Sequence, residues 1–129
     1  MTEIVRLQGD PPSPYELELA FSRVVRAGEF VLVGGTTSID EYGVVGGATP
    51  YEQTTEILRK VAHELQRAGT NLDRVLQTRV YVTDISRCGE VGRAHAEAFG
   101  ETRPLMTMVE VSALIDPRML VEIETVALV

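Results

Sequence analysis

Along the middle of the chain, Tyr51, Leu58, Val61, Ala62, Leu65 and Ala68 recur at helical spacing, while Glu56, Arg59, Lys60, His63 and Arg67 occupy the rest of the circumference. Thr49-Pro50-Tyr51-Glu52 reads as a capping box with proline at the first helical position, and Gly69 supplies a left-handed exit. The spacing therefore predicts an amphipathic helix with one face on a sheet. Elsewhere the period is two. Phe21 to Arg26 and Glu29 to Val33 are β-rich about Ala27-Gly28, a tight hairpin turn. Arg74 to Thr83 alternates, with Leu76, Val80 and Val82 on one face and Gln77, Arg79, Tyr81 and Thr83 on the other. A weaker helix follows from about Ser86 to Phe99, then strands from Leu105 to Leu114 and from Met119 to Leu128. A short strand opens the chain ahead of Gly9-Asp10-Pro11-Pro12-Ser13-Pro14, whose clustered prolines read as an extended loop. Gly34-Gly35, Gly43 and Gly46-Gly47 bracket a second loop, long enough to carry function. This order of elements predicts an α+β fold, one mixed sheet with both helices on one face.

The last two strands are the most informative. Leu105, Thr107, Val109, Val111 and Ala113 form one face of the first, and Met119, Val121, Ile123, Thr125 and Ala127 one face of the second; these suit the helices. The opposite faces mix Met106, Met108, Glu110, Ser112 and Leu114 with Leu120, Glu122, Glu124, Val126 and Leu128. Two helices cannot cover both sides of a sheet, so the apolar residues on the second side would face water in a monomer. The pattern predicts that other copies of the chain cover that side, with the carboxylates gathered at a cleft.

At 129 residues and 44% hydrophobic composition the chain is sized for one domain, residues 1–129, and is not disordered. Aromatics are only 5%, so aliphatic residues and methionine must build the core. A net charge of −7 repels phosphate backbones and anionic lipid and argues against nucleic acid and membranes as partners. The single cysteine, Cys88, excludes an internal disulfide. The opening residues lack the basic-then-apolar order of a secretory leader, and no apolar run approaches the ~20 residues of a membrane span, so a cytoplasmic location is expected.

Several motifs in order resemble the RidA/YjgF family, also called the L-PSP endoribonuclease family. They are Arg26-Ala27-Gly28 followed by Val31-Leu32-Val33-Gly34-Gly35, the capped helix ending at Ala68-Gly69, and Val80-Tyr81-Val82-Thr83-Asp84. Pro104, Val109-Glu110-Val111, Leu114 and Val121-Glu122-Ile123-Glu124 complete the set. The resemblance implies a chorismate-mutase-like fold, a homotrimer, and small-molecule clefts between subunits. It also implies hydrolysis of imines or enamines to oxo acids and ammonia, without metal or cofactor. Glu122 matches the family's water-positioning glutamate and Gly35 the glycine whose backbone lines the cleft. The arginine of the deaminating members falls on Met106, which has no donor to grip a carboxylate. The frequent tyrosine falls on Phe21 and the frequent cysteine on Met108. The chain thus resembles an arginine-less branch, with a pocket suited to a ligand larger or less acidic than aminoacrylate.

The remaining candidates have two readings each. Glu122, Glu124 and Glu110 share a sheet side by strand parity and either raise one another's pKa at an acid–base site or meet arginines across a subunit boundary. Arg79, or Arg103 beside Pro104, either supplies the guanidinium that Met106 does not or forms a structural ion pair. His95, four residues beyond Val91, reads as a buried histidine with one hydrogen bond, and His63 as a solvated helix residue. Cys88 reads as a small buried hydrophobe, two helical turns (~10 Å) from His95 and too far to share a metal with it. The two functional readings are a cofactor-independent imine or enamine hydrolase using Glu122, with Gly35, Phe21, Arg79, Met106 and Met108 around the substrate, and a non-catalytic metabolite-binding trimer.

Overall fold

The computed structural model describes residues 2–129. Gly28, at φ 60°, turns β2 (Val24–Ala27) back onto β3 (Phe30–Thr36), pairing Ala27 with Phe30 as the hairpin spacing predicts. The opening strand β1 (Ile4–Leu7) adds to the outer edge of β2. Thr49 caps α2 (Pro50–Arg67), its hydroxyl accepting from the Glu52 amide, and Gly69 at φ 93° ends the turn beyond it. Then come β4 (Val75–Val82), α3 (Cys88–Phe99), β5 (Leu105–Glu110) and β6 (Val121–Leu128). The six strands run in the order β1-β2-β3-β6-β4-β5. Only β4 and β5 pair in parallel, with α3 as the crossover such a pair requires.

Both helices lie on one face. Ile57, Leu58, Val61 and Leu65 of α2 and Val91 and Phe99 of α3 pack on Val24, Val31, Val33, Val80, Val82, Val121 and Ile123. His95 is buried in this layer, its Nε2 2.8 Å from Thr78 Oγ1, as the sequence predicts.

Three expectations are corrected. The proline-rich stretch is not wholly extended, because Ser13 starts a short helix, α1 (Pro14–Leu19). Leu76 does not share the face of Val80: a register shift between Val75 and Gln77 buries Val75 in the core and turns Leu76 to the exterior. Cys88, at the start of α3, is exposed rather than buried.

The largest correction concerns β5. It ends at Glu110, not Leu114, and its register with β4 pairs Met106 with Thr78 and Met108 with Val80, on the helix side. Leu105, Thr107 and Val109 pair with Gln77, Arg79 and Tyr81 on the open side. The parity read from the sequence is therefore inverted for this strand. Met108 packs against the core, and Glu110 turns to the α3 side to accept from the Ile85 amide at 3.0 Å. In β6 the parity holds, with Val121, Ile123 and Thr125 buried and Glu122 and Glu124 on the open face.

Candidate functional site around Glu122

Glu122 projects from β6 beside Tyr81 of β4, on the face the helices leave open. On its other side β3 carries a register irregularity between Val33 and Thr36, which lets Gly34-Gly35 depart from regular pairing. The Glu122 carboxylate comes down on the backbone there. A Cβ at Gly35 would lie 2.5 Å from Glu122 Oε2, so a side chain there would push the carboxylate aside. The glycine permits the close approach, and the two family positions are neighbours.

The third wall is built by the segment between α1 and β2. Ala20 exits α1 in the left-handed region at φ 58°, and the Phe21 amide donates back to Glu16 O at 3.0 Å. Arg23 is pinned at both backbone groups, its N–H on Leu7 O at 2.8 Å and its carbonyl receiving the Gly34 N–H at 2.9 Å. These contacts bring Phe21 and Arg23 to the cavity that holds Gly35 and Glu122, closed at one end by Ile115 and Met119. Its volume is about 220 Å³. Burial pushes the Glu122 carboxyl above its usual range, the neighbouring Glu124 adds to this, and Arg23 opposes it. A half-buried acid beside apolar walls, its carboxyl raised above the usual range, is suited to taking and returning a proton.

The predicted residues therefore divide. Phe21, Gly35 and Glu122 meet in one cavity. Arg79 lies in the neighbouring groove with Glu124, Gln77 and Val126. It pairs with Glu124 in register, yet among the described residues no salt bridge joins them; the Tyr81 hydroxyl donates to Glu124 instead. Arg103 stands at φ 50° just before β5, outside this cavity. Met106 and Met108 lie across the sheet from Glu122, so within one protomer they do not join it. Sequence reading missed Arg23, the one charge in the run Phe21-Ser22-Arg23-Val24-Val25. A charge inside a β-rich apolar stretch is a signal in itself, since such groups are buried only when paired.

The match to known proteins is extensive. The family model described as Endoribonuclease L-PSP covers residues 14–129. The chain belongs to the endoribonuclease L-PSP family, the RidA/YjgF proteins. Among its relatives, the chain is 36% identical over 115 residues to the protein SCO2049 of Streptomyces coelicolor, covering 89% of this chain and 86% of that one. It is 32% identical over 128 residues to the 3-aminoacrylate deaminase RutC of Acinetobacter baylyi, covering 97% and 96% of the two chains. The crystal structure of Rv2704 from Mycobacterium tuberculosis, a member of the YjgF/YER057c/UK114 family, superposes with a TM-score of 0.88 at 44% identity over 98% of this chain and all of that one. The RidA/YjgF assignment and the mixed sheet with two packed helices expected from the sequence both stand. Among the described residues of this family member no helix is long and apolar enough to cross a membrane.

Proposed function

We propose that this chain is a cofactor-independent hydrolase of imines or enamines, working as a homotrimer whose neighbouring copies close the cavity around Glu122 over a small organic substrate. One observation carries this reading: a carboxyl raised above its usual range, seated on the backbone of Gly35 at a small and mostly apolar cavity. The likeness to a 3-aminoacrylate deaminase along nearly the whole chain supports the reaction class.

The chemistry asks little of the protein. Ionised Glu122 takes a proton from a water as its oxygen bonds to the imine carbon, while the C=N pair moves to nitrogen. The acid so formed returns its proton to that nitrogen. Glu122, ionised again, carries the hydroxyl proton of the tetrahedral carbinolamine to its amino nitrogen, and the C–N bond breaks to release ammonia and the carbonyl product. General acid–base catalysis of this kind contributes roughly 10²–10⁴-fold. A raised carboxyl pKa brings the donor and acceptor states of Glu122 closer in energy at working pH.

The test supplies imines freshly released from several amino acids and follows carbonyl formation against semicarbazide trapping. The wild-type chain should accelerate release, and Glu122→Gln should lower the rate by roughly 10²-fold or more while ligand-induced thermal stabilisation persists. Rates no higher than buffer across the series, with stabilisation by ligand retained, would overturn the enzyme in favour of a non-catalytic metabolite-binding trimer.

A further inference from the structure

Arg23 is 5% exposed, and its guanidinium is only partly used. Nη2 donates to Glu16 Oε2 at 3.0 Å and Nη1 reaches Thr36 Oγ1 at 3.4 Å, while Nε is buried with no hydrogen-bond partner among the described residues. A guanidinium carries five N–H donors, and a buried donor without an acceptor costs about 1–3 kcal/mol. Evolution could have filled such a site with a neutral residue. Glu16 is shared with other donors, its Oε1 taking the Gly9 amide at 2.7 Å and its Oε2 the Ser13 amide at 2.5 Å as well as Arg23 Nη2.

The place of this group matters as much as its free donor. Arg23 lines the cavity of Glu122, Gly35 and Phe21 and also the groove of Arg79 and Glu124, standing where the two meet. Lys60, whose Nζ donates to the carbonyls of Thr37 and Ile39, lies on the far side of Arg23 across a third cavity. Lys60 shares that third cavity with Glu56 and Glu64 and so already stands among acids, which leaves Arg23 as the cation on the wall of the Glu122 cavity. A buried guanidinium with an unused donor favours a ligand with a negative end.

We propose that Arg23 is the specificity-determining cation of this cavity, receiving the carboxylate of an anionic substrate through donors that the fold leaves open. It supplies from the segment before β2 what Met106 on β5 cannot. This inference rests on the proposed imine-hydrolase reading for the identity of the substrate, but the binding it describes can be measured without turnover.

The probe is 2-oxobutanoate, compared with its neutral amide, by calorimetric titration of the full chain. The wild type should prefer the carboxylate. Arg23→Gln should weaken 2-oxobutanoate at least tenfold and leave the amide unchanged, so that the preference disappears, and Arg23→Lys should restore part of it. Arg23→Gln strands the Glu16 charge, so the double variant Glu16→Gln/Arg23→Gln, neutral at both positions, keeps the test alive if the single variant unfolds. Retention of the carboxylate preference in either folded variant overturns the proposal, as does its loss in Arg79→Ala or Arg103→Ala. If Glu122-dependent turnover survives while Arg23→Gln binds normally, only this inference fails. Absence of turnover together with Arg23-dependent carboxylate binding removes the hydrolase reading and leaves this one standing.

Discussion

Gly35 and Glu122 approach each other closely, and the pair separates shape from chemistry. Gly35 has no positive φ, so alanine there brings no backbone strain; what its methyl meets is the far end of one flexible carboxylate. The fold should therefore survive Gly35→Ala while the carboxylate moves. A displacement on the order of 1 Å at a reacting group costs roughly 10²-fold in rate. We expect kcat for imine hydrolysis to fall by one to two orders of magnitude with little change in melting temperature. A variant with unchanged kcat would show that the contact does not position the acid. Glu122 and Gly35 were named together in the sequence because the family resemblance points to both positions. Arg23 was not, because no periodicity reports a side chain that leaves the strand pattern to meet a partner seven residues earlier. Phe21 shows the intermediate case: the family resemblance named it, and α1 explains how it gets there.

At the scale of elements, α1 joins the site to the acid stability of the protein. Its six residues are too few to persist alone. Glu16 is what holds them: fully buried, it receives the amides of Gly9 and Ser13 and the guanidinium of Arg23. Burial pushes its carboxyl up, but those donors outweigh burial and leave it below its usual value. A carboxyl lowered by folding contributes stability above its unfolded pKa, near 4.3, and loses it as pH falls through the lower folded value. The advantage of wild type over Glu16→Gln in urea midpoint should be full at pH 5 to 7 and shrink progressively below about pH 4.3. Removing one member of a buried pair typically costs 3–5 kcal/mol, so the neutral-pH loss should be on that order. An equal offset at pH 3 and pH 7 would exclude the ionised pair as its source. The helix itself was legible and overlooked. Ser13-Pro14-Tyr15-Glu16 repeats the pattern of Thr49-Pro50-Tyr51-Glu52, but the prolines at 11 and 12 favour an extended reading of the segment. In β5 the failure is deeper. Leu105, Met106, Met108 and Val109 are all apolar, so alternation carries no information, and only pairing with β4 decides the face.

For the whole molecule, the consequence of that inverted strand is that the open face of the sheet is more apolar than the sequence suggested. Leu32 and Phe30 of β3 are 42% and 50% exposed, and Leu105 and Val109 of β5 are 70% and 43% exposed. They share that face with Val25 and Val126, while the acidic members narrow to Glu122 and Glu124 once Glu110 is assigned to the other side. A face of this kind is soluble only when covered. We expect sedimentation of the wild type at micromolar concentration to give three times 14.2 kDa. Leu32 is the informative place to interfere, since it sits between Val25 and Val126 near the centre of the sheet, exposed on the face away from the helices. Leu32→Glu adds a charge beside Glu124 and asks association to desolvate both. Each 1.4 kcal/mol weakens it tenfold. The variant should sediment at 14.2 kDa with its melting transition retained, and should lose turnover along with assembly, because a monomer leaves the cavity of Glu122 open to water. Full activity in a folded monomer would mean that one chain completes the site, and the reading of the cavity as an intersubunit chamber would have to be given up.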